Sequence, residues 1–398
     1  MSLPQARYEL EYKHGSDYGA DEAAAIAAVL KNRAPSCGPK VKEFEEAFAV
    51  YCGCRYALAV TSGTAGLQLA ALAAGLGAGD EAITTPITWI STANAIAATG
   101  AKVVFADVDR STLNISPESA AARISERTKA IFPVHLYGQP CDMDAFREMA
   151  RSRGILLIDD CAHAPGAEYK GRRTGGLGDI SVFSFHQQKN MTTLGEGGMV
   201  TTNDHSLFEK LLGLRSLCCR SYDPKGKYLA FNEAEQPMGK KYWFLDFDSV
   251  GYNFRMTDVQ AAVGLVQLGK LDQWNERRIG IAREYTRRLE GISGLGLPRI
   301  TPEVKHVFHI YSVFLESGFP LSKEDFMWEM CVGRGIKVWS HYSPVHLSTA
   351  YRRAGHHPGE CPVAEEMASR FVSLPIHPRL TEEAIDYLTQ TIRELAHA

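Results

Sequence analysis

Between about residues 54 and 205 the chain repeats one motif: a short apolar run, a few polar residues, then a helical period. The runs are RYALAVTS (55–62), DEAITTP (80–86), AKVVFADVD (101–109), KAIFPVHLYG (129–138), GILLIDDC (154–161), ISVFSFH (180–186) and GGMVTTN (197–203). A strand with one wet face alternates apolar and polar residues, whereas these runs are nearly continuous, as expected of strands covered on both faces by helices. They predict an α/β domain, a mostly parallel sheet sandwiched by helices. Ligands of such sheets sit beyond the carboxyl ends of the strands. Thr61, Ser62, Asp159, Asp160, Ser184 and His186 gather at those ends.

A chain of 398 residues is long enough for two or three domains. The expected division is a large α/β domain over 1–255, a linking helix over 256–290 and a smaller α+β domain over 291–398. Thr257 and Gln260 have the spacing of a capping box at the start of the linking helix. Residues 218–250 show no clear period and are rich in aromatic, Gly, Pro and charged residues, so this stretch reads as a loop that is either functional or mobile. With 22% charged residues and a formal net charge of -3, the composition is that of an ordinary folded protein and gives no sign of nucleic-acid binding. The N-terminal stretch lacks the apolar core of a signal peptide, and no run is long enough for a membrane span, hence a cytoplasmic expectation. Nine scattered cysteines without a C-x-x-C pair signal neither a disulfide framework nor a zinc site. No metal is expected.

Lys189 lies in SVFSFHQQKNMTTLGEGGMVTT, near the end of a strand that reads as buried. Such a lysine either snorkels to solvent or is held for chemistry, because a desolvated amine loses its proton more easily and becomes a nucleophile. Its neighbours are suggestive. Ser184 can offer a hydroxyl to a phosphate, and the glycines of GEGG (195–198) let backbone approach a ligand. Thr61-Ser62-Gly63-Thr64-Ala65 joins a strand to a helix, and a helix start presents free N–H groups to an anion; the same residues also read as an ordinary Ser/Thr cap. Asp159 and Asp160 end another strand. Asp159 can simply face the surface, while a carboxylate shielded from water pairs strongly with a buried cation such as a pyridinium. Trp89 follows a further strand end, placed either to lie against a planar ring or to fill the core. An amine for a carbonyl, an acid for a pyridine nitrogen, an aromatic plate and a phosphate cradle together make the inventory of a pyridoxal phosphate (PLP) site.

With these residues, and with GPKVKEFEEAFAVY, FPVHLYGQPCDMD, LLIDDCAHAPGAEYKGRRTGGLGD, GYNFRMTDVQAAVGLVQL, HYSPVH and CPVAEEMASRFVSLPIHP, the chain resembles the DegT/StrS sugar aminotransferases, which belong to the fold-type I PLP enzymes. The resemblance spans nearly the whole chain. It implies Lys189 as the Schiff-base lysine, Asp160 on the pyridine nitrogen, Trp89 stacked on the ring, and Ser184, Gly63, Thr64 and Ala65 on the phosphate. His163, where many relatives have glutamine, falls near the ring hydroxyl. Asn253 is expected to reach the phosphate of a partner subunit, so that a homodimer shares its sites; Arg255 is left between an ion pair and a donor contact. Acceptor recognition is expected at His341, Tyr342 and His346, or in the 218–250 loop, with structural histidines as the alternative.

The implied reaction is a ping-pong transamination from L-glutamine or L-glutamate to a keto sugar or keto cyclitol. The motif around Lys189 is closer to the cyclitol (scyllo-inosose) branch. A nucleotide-linked keto-deoxysugar is the alternative acceptor. A related dehydratase is expected to carry histidine in place of Lys189, a regulatory homologue a degraded site, and a nicotinamide dehydrogenase a glycine fingerprint that is absent here.

Overall fold

The computed structural model describes residues 15–32, 36–219, 247 and 249–397. Most of the 218–250 loop therefore lies outside the described residues. All seven apolar runs form strands of one sheet. Its order is Tyr56–Val60, Gly198–Thr202, Ile180–Ser184, Leu156–Asp160, Thr128–Phe132, Glu81–Thr84 and Lys102–Phe105. Neighbours pair in parallel except around Gly198–Thr202, which runs antiparallel to both strands beside it.

Continuous hydrophobicity is explained by what lies on each face. Leu58 and Val60 pack with Leu67 and Leu69 of the helix Gly63–Ala73. Ala57 and Ala59 point the other way, into a cluster with Phe44 and Phe48 of the helix Pro39–Cys52. Ile180 and Val182 share the first face, and Phe183 and Phe185 the second. Successive side chains of a strand point to opposite faces, so both sets must be apolar.

The parallel order brings the carboxyl ends of six strands to one edge, at Val60, Thr84, Phe105, Phe132, Asp160 and Ser184. Gly198 tightens that edge. A Cβ there would come within 2.8 Å of the Gly63 nitrogen and of the Phe183 carbonyl oxygen, so only glycine lets the antiparallel strand lie this close.

The capping box forms as expected: Thr257 accepts from Gln260 N–H, and Gln260 returns a bond to Thr257 N–H. It starts a helix of 32 residues, Asp258–Leu289, whose last turns pack with the helix Glu382–Leu395 in a second apolar cluster. The strands Leu295–Gly296, Tyr311–Leu315 and Phe371–Leu374 make a small antiparallel sheet there. The helix Pro362–Ala368 stops just short of the strand that begins at Phe371. The run IKVWSHY forms no strand, only a bridge between Trp339 and Ser373. No helix of the described residues is long and apolar enough to cross a membrane.

Phe48 is fully buried, with its ring centroid 4.9 Å from that of Phe183 and 5.5 Å from that of Phe185. Phe48→Ala is expected to lower stability by about 3–5 kcal/mol, measured by urea unfolding; a loss below about 1 kcal/mol would contradict this packing.

Candidate active site

At the convergent edge of the sheet lies a cavity of about 560 Å³. One end is built for an anion. Ser62 caps the helix Gly63–Ala73, its hydroxyl accepting from Ala65 N–H at 3.1 Å. The N–H groups of Gly63 and Thr64 fall in the first turn, where no intrahelical acceptor exists, and the helix dipole adds positive potential. A Cβ on Gly63 would lie 2.8 Å from Ser184 Cβ, so glycine is what brings this turn against the strand end bearing Ser184. Thr64 Oγ1 and Ser91 Oγ, 2.8 Å apart, extend the polar wall. Ala65 departs from expectation. Its N–H is taken by Ser62, and its buried side chain does not line the cavity.

Deeper in the cavity Asp160 is 4% exposed. Its backbone is clamped by Asp160 N–H on Pro133 O (2.9 Å) and by His135 N–H on Asp160 O (3.1 Å). Its carboxylate accepts from Thr92 Oγ1 at 2.7 Å and from Ala162 N–H at 3.0 Å. Burial still pushes this acid above the usual carboxylate range; the two hydrogen bonds and the charge of Lys189 oppose the shift. Lys189 lines the same cavity, and loss of water around its amine brings it down to about 8, with Asp160 acting in the other direction.

A wall of imidazoles and phenols completes the site. His163 Nδ1 accepts from Tyr137 N–H at 3.3 Å, which assigns the proton to Nε2, 3.2 Å from Tyr342 Oη. His163 also packs on His309 with ring centroids 4.4 Å apart, and His309 Nδ1 bonds Asn190 Oδ1 at 3.1 Å. Burial holds both imidazoles well below their ordinary range, so they are neutral; His341 is brought down to about 4 by the same cause, helped by Lys189. Trp89 stands at the mouth, 60% exposed, with its ring 6.1 Å from that of Tyr342.

Lys189, Asp160, His163, Trp89, Ser184, Gly63, Thr64, His341 and Tyr342 thus share one cavity. His346 does not join them. It is fully buried, with Nε2 2.9 Å from a Glu365 carboxylate oxygen and its ring against Phe105. Asn253 is exposed and lies outside the cavity lining, as does the half-buried Arg255, whose backbone bridges to Val60. Asp159 is fully buried rather than at the surface, accepting from Gly178 N–H at 2.9 Å and Ser181 Oγ at 3.1 Å. Sequence reasoning overlooked Thr92, which holds Asp160, and Trp339, which lines the mouth. Thr92 stands three residues after Trp89, close to one helical turn, and that spacing was the available signal.

The lowered basicity of Lys189 has a direct readout. In protein free of small ligands, pulse acylation followed by peptide mass spectrometry should show Lys189 gaining reactivity through about pH 8. A midpoint near the usual lysine value of about 10.4 would contradict the desolvated site.

Residues 16–393 match the DegT/DnrJ/EryC1/StrS aminotransferase family. The chain is 37% identical to the dTDP-3-amino-3,4,6-trideoxy-alpha-D-glucose transaminase of Streptomyces venezuelae, covering 95% of this chain and 92% of that protein. It is 38% identical to the GDP-perosamine synthase of Caulobacter vibrioides, covering 88% of each. Among solved structures, S. venezuelae DesV in complex with a ketimine intermediate superposes with a TM-score of 0.85 at 36% identity, covering 95% of each chain. The chain belongs to the DegT/DnrJ/EryC1/StrS family and is a PLP-dependent aminotransferase.

Proposed function

We propose that this protein moves an amino group from L-glutamine or L-glutamate to the keto group of a sugar or cyclitol, in two half-reactions at the same site. The observation that carries this reading is the pairing, in one cavity, of a desolvated lysine with a buried carboxylate.

The residues fit PLP. Asp160, an acid whose burial penalises its charge, is matched by a pyridinium N–H. The helix start at Gly63 and Thr64, where a Cβ on Gly63 would collide with Ser184, suits a phosphate, with the Ser184 and Ser62 hydroxyls beside it. Trp89 offers a ring face, and the Nε2–H of His163, here directed at Tyr342 Oη, is the donor that a ring hydroxyl would share or take over. When bound, PLP supplies the carbonyl that carries the amino group and a ring that delocalises the electron pair left at the donor Cα.

The protein's own residues do the rest. Lys189 anchors the cofactor between turnovers and, once displaced by the donor, takes the proton from the donor Cα as a free amine. An amine brought down to about 8 is unprotonated in a useful fraction near neutral pH. Asp160 keeps the proton on the ring nitrogen, and Thr92 keeps the Asp160 carboxylate turned toward it. In the second half-reaction Lys189 returns a proton to the acceptor carbon. Asn253, exposed outside the cavity, is proposed to reach the phosphate held by a partner subunit in a homodimer. A cytoplasmic setting fits nine cysteines scattered through the sequence without a C-x-x-C pair. A nucleotide-linked keto-deoxysugar is the second reading of the acceptor, favoured by the names of the relatives.

The test is the absorbance of PLP-loaded protein titrated with L-glutamine and then L-glutamate, with no acceptor present. Conversion to the pyridoxamine phosphate spectrum is expected; an unchanged spectrum with both amino acids refutes this choice of donor. Lys189→Ala is expected to slow that conversion at least about 10²-fold. Thr92→Val should slow it less and weaken PLP binding, and wild-type behaviour in both assays would remove Thr92 from the account.

A further inference from the structure

The cavity contains a second tryptophan that the cofactor does not require. Trp339 is 53% exposed and lines the mouth together with Ser340, His341 and Tyr342. Its exposure is not that of a loose loop. Trp339 N–H donates to Ser373 O at 3.1 Å and Ser373 N–H donates to Trp339 O at 2.7 Å, which ties this backbone to the fully buried strand Phe371–Leu374. The indole sits 6.4 Å from the His341 ring, centroid to centroid, and His341 in turn contacts Tyr342 edge-on at 5.0 Å. Indole is among the largest apolar side chains, and leaving half of it in water forgoes burial that folding would otherwise use. Here the backbone that carries this exposed surface is fixed, and the indole lines the same cavity as Lys189.

Once PLP occupies the end defined by Asp160, Ser184 and Trp89, the free walls are Trp339, Ser340, His341 and the rim residues Gln188 and Glu196. Among the described lining residues Lys189 is the sole lysine or arginine, while Asp160 and Glu196 are acidic. Such walls offer a flat apolar face edged by polar groups, which suits a ring with polar edges. A six-membered polyol with equatorial hydroxyls has that shape: its faces carry axial C–H groups, apolar and weakly positive, and its hydroxyls point outward from the rim of the ring. The face of an indole is negative and flat, so the two surfaces are complementary. The hydroxyls then reach polar rim groups or water.

We propose that Trp339 is the platform for the amino acceptor: a six-membered polyhydroxylated ketone lays one C–H face on its indole and turns its keto carbon toward Lys189. This rests on the aminotransferase reading above and adds the residue that selects the acceptor ring. L-Glutamine has no such face, so the platform serves the second half-reaction and not the first.

The test separates the two half-reactions. PLP-loaded protein is converted with L-glutamine and freed of excess amino acid. Return of the original absorbance is then followed in single turnover with scyllo-inosose, with a dTDP-linked 3-keto-6-deoxyhexose, and with 2-oxoglutarate as an acyclic control. Trp339→Ala is expected to raise the half-saturating concentration of the accepted ring ketone by about 10-fold or more. The L-glutamine step and the return with 2-oxoglutarate should change by no more than about two-fold, and Trp339→Phe should recover most of the loss, since a phenyl face stacks in the same way.

Equal slowing of both half-reactions by Trp339→Ala would mark a structural role and overturn the proposal. Unchanged saturation by the ring ketone would overturn it as well, as would a wild-type protein that converts with L-glutamine and then takes neither ring ketone. A failure of the proposed reaction is distinguishable, because the first absorbance change is then missing in the wild type with L-glutamine and with L-glutamate alike, and the platform falls with it.

Discussion

The site depends on one electrostatic constraint: the buried Asp160 and the partly buried Lys189 share one cavity, and desolvation shifts each toward its neutral form. Either charge alone would be costly to bury. The acid and the amine then line one cavity, each with its charge penalised by lost water. Thr92 and the backbone clamps from Pro133 and His135 keep the acid in position, so the neighbouring elements serve to hold one carboxylate at one strand end.

That strand end is active because of topology. Parallel pairing puts the carboxyl ends of Leu156–Asp160 and Ile180–Ser184 side by side, which sets Asp160 next to the anion end of the cavity. Insertion of Gly198–Thr202 in the opposite direction keeps Tyr56–Val60 parallel to Ile180–Ser184, one strand away. Its chain continues through Ser62 into the helix whose N-terminus faces Ser184. Gly63 and Gly198 permit the close approach on which this depends, and a Cβ at either would press on backbone or on Ser184.

The strands were legible because burial on both faces leaves a continuous apolar run, a signal that does not depend on partner or register. Lys189 and Asp160 stood out as ionisable residues at the ends of such runs. What stayed hidden were relations across the sheet. Nothing in the order of residues says that Thr92 reaches 68 positions along the chain to Asp160, or that Ser62 keeps the Ala65 N–H for itself. His346 carried the same local signal as His341, five residues before it, yet the short 3-10 turn Val345–Leu347 directs it to Glu365 inside the protein. Nothing in the order of residues pairs Trp339 with Ser373, the backbone contact that fixes the chain where its indole lines the cavity. Sequence pattern reports which residues are buried or polar; which of them meet is decided by packing.

The cofactor is expected to be held by Lys189, the one lysine among the described residues that line this cavity. Borohydride trapping of PLP-loaded protein, followed by peptide mass spectrometry, tests it most directly. The account predicts a single phosphopyridoxyl group on the peptide containing Lys189, with none on that peptide in Lys189→Ala. A label distributed over surface lysines, or concentrated on a different one, would contradict it.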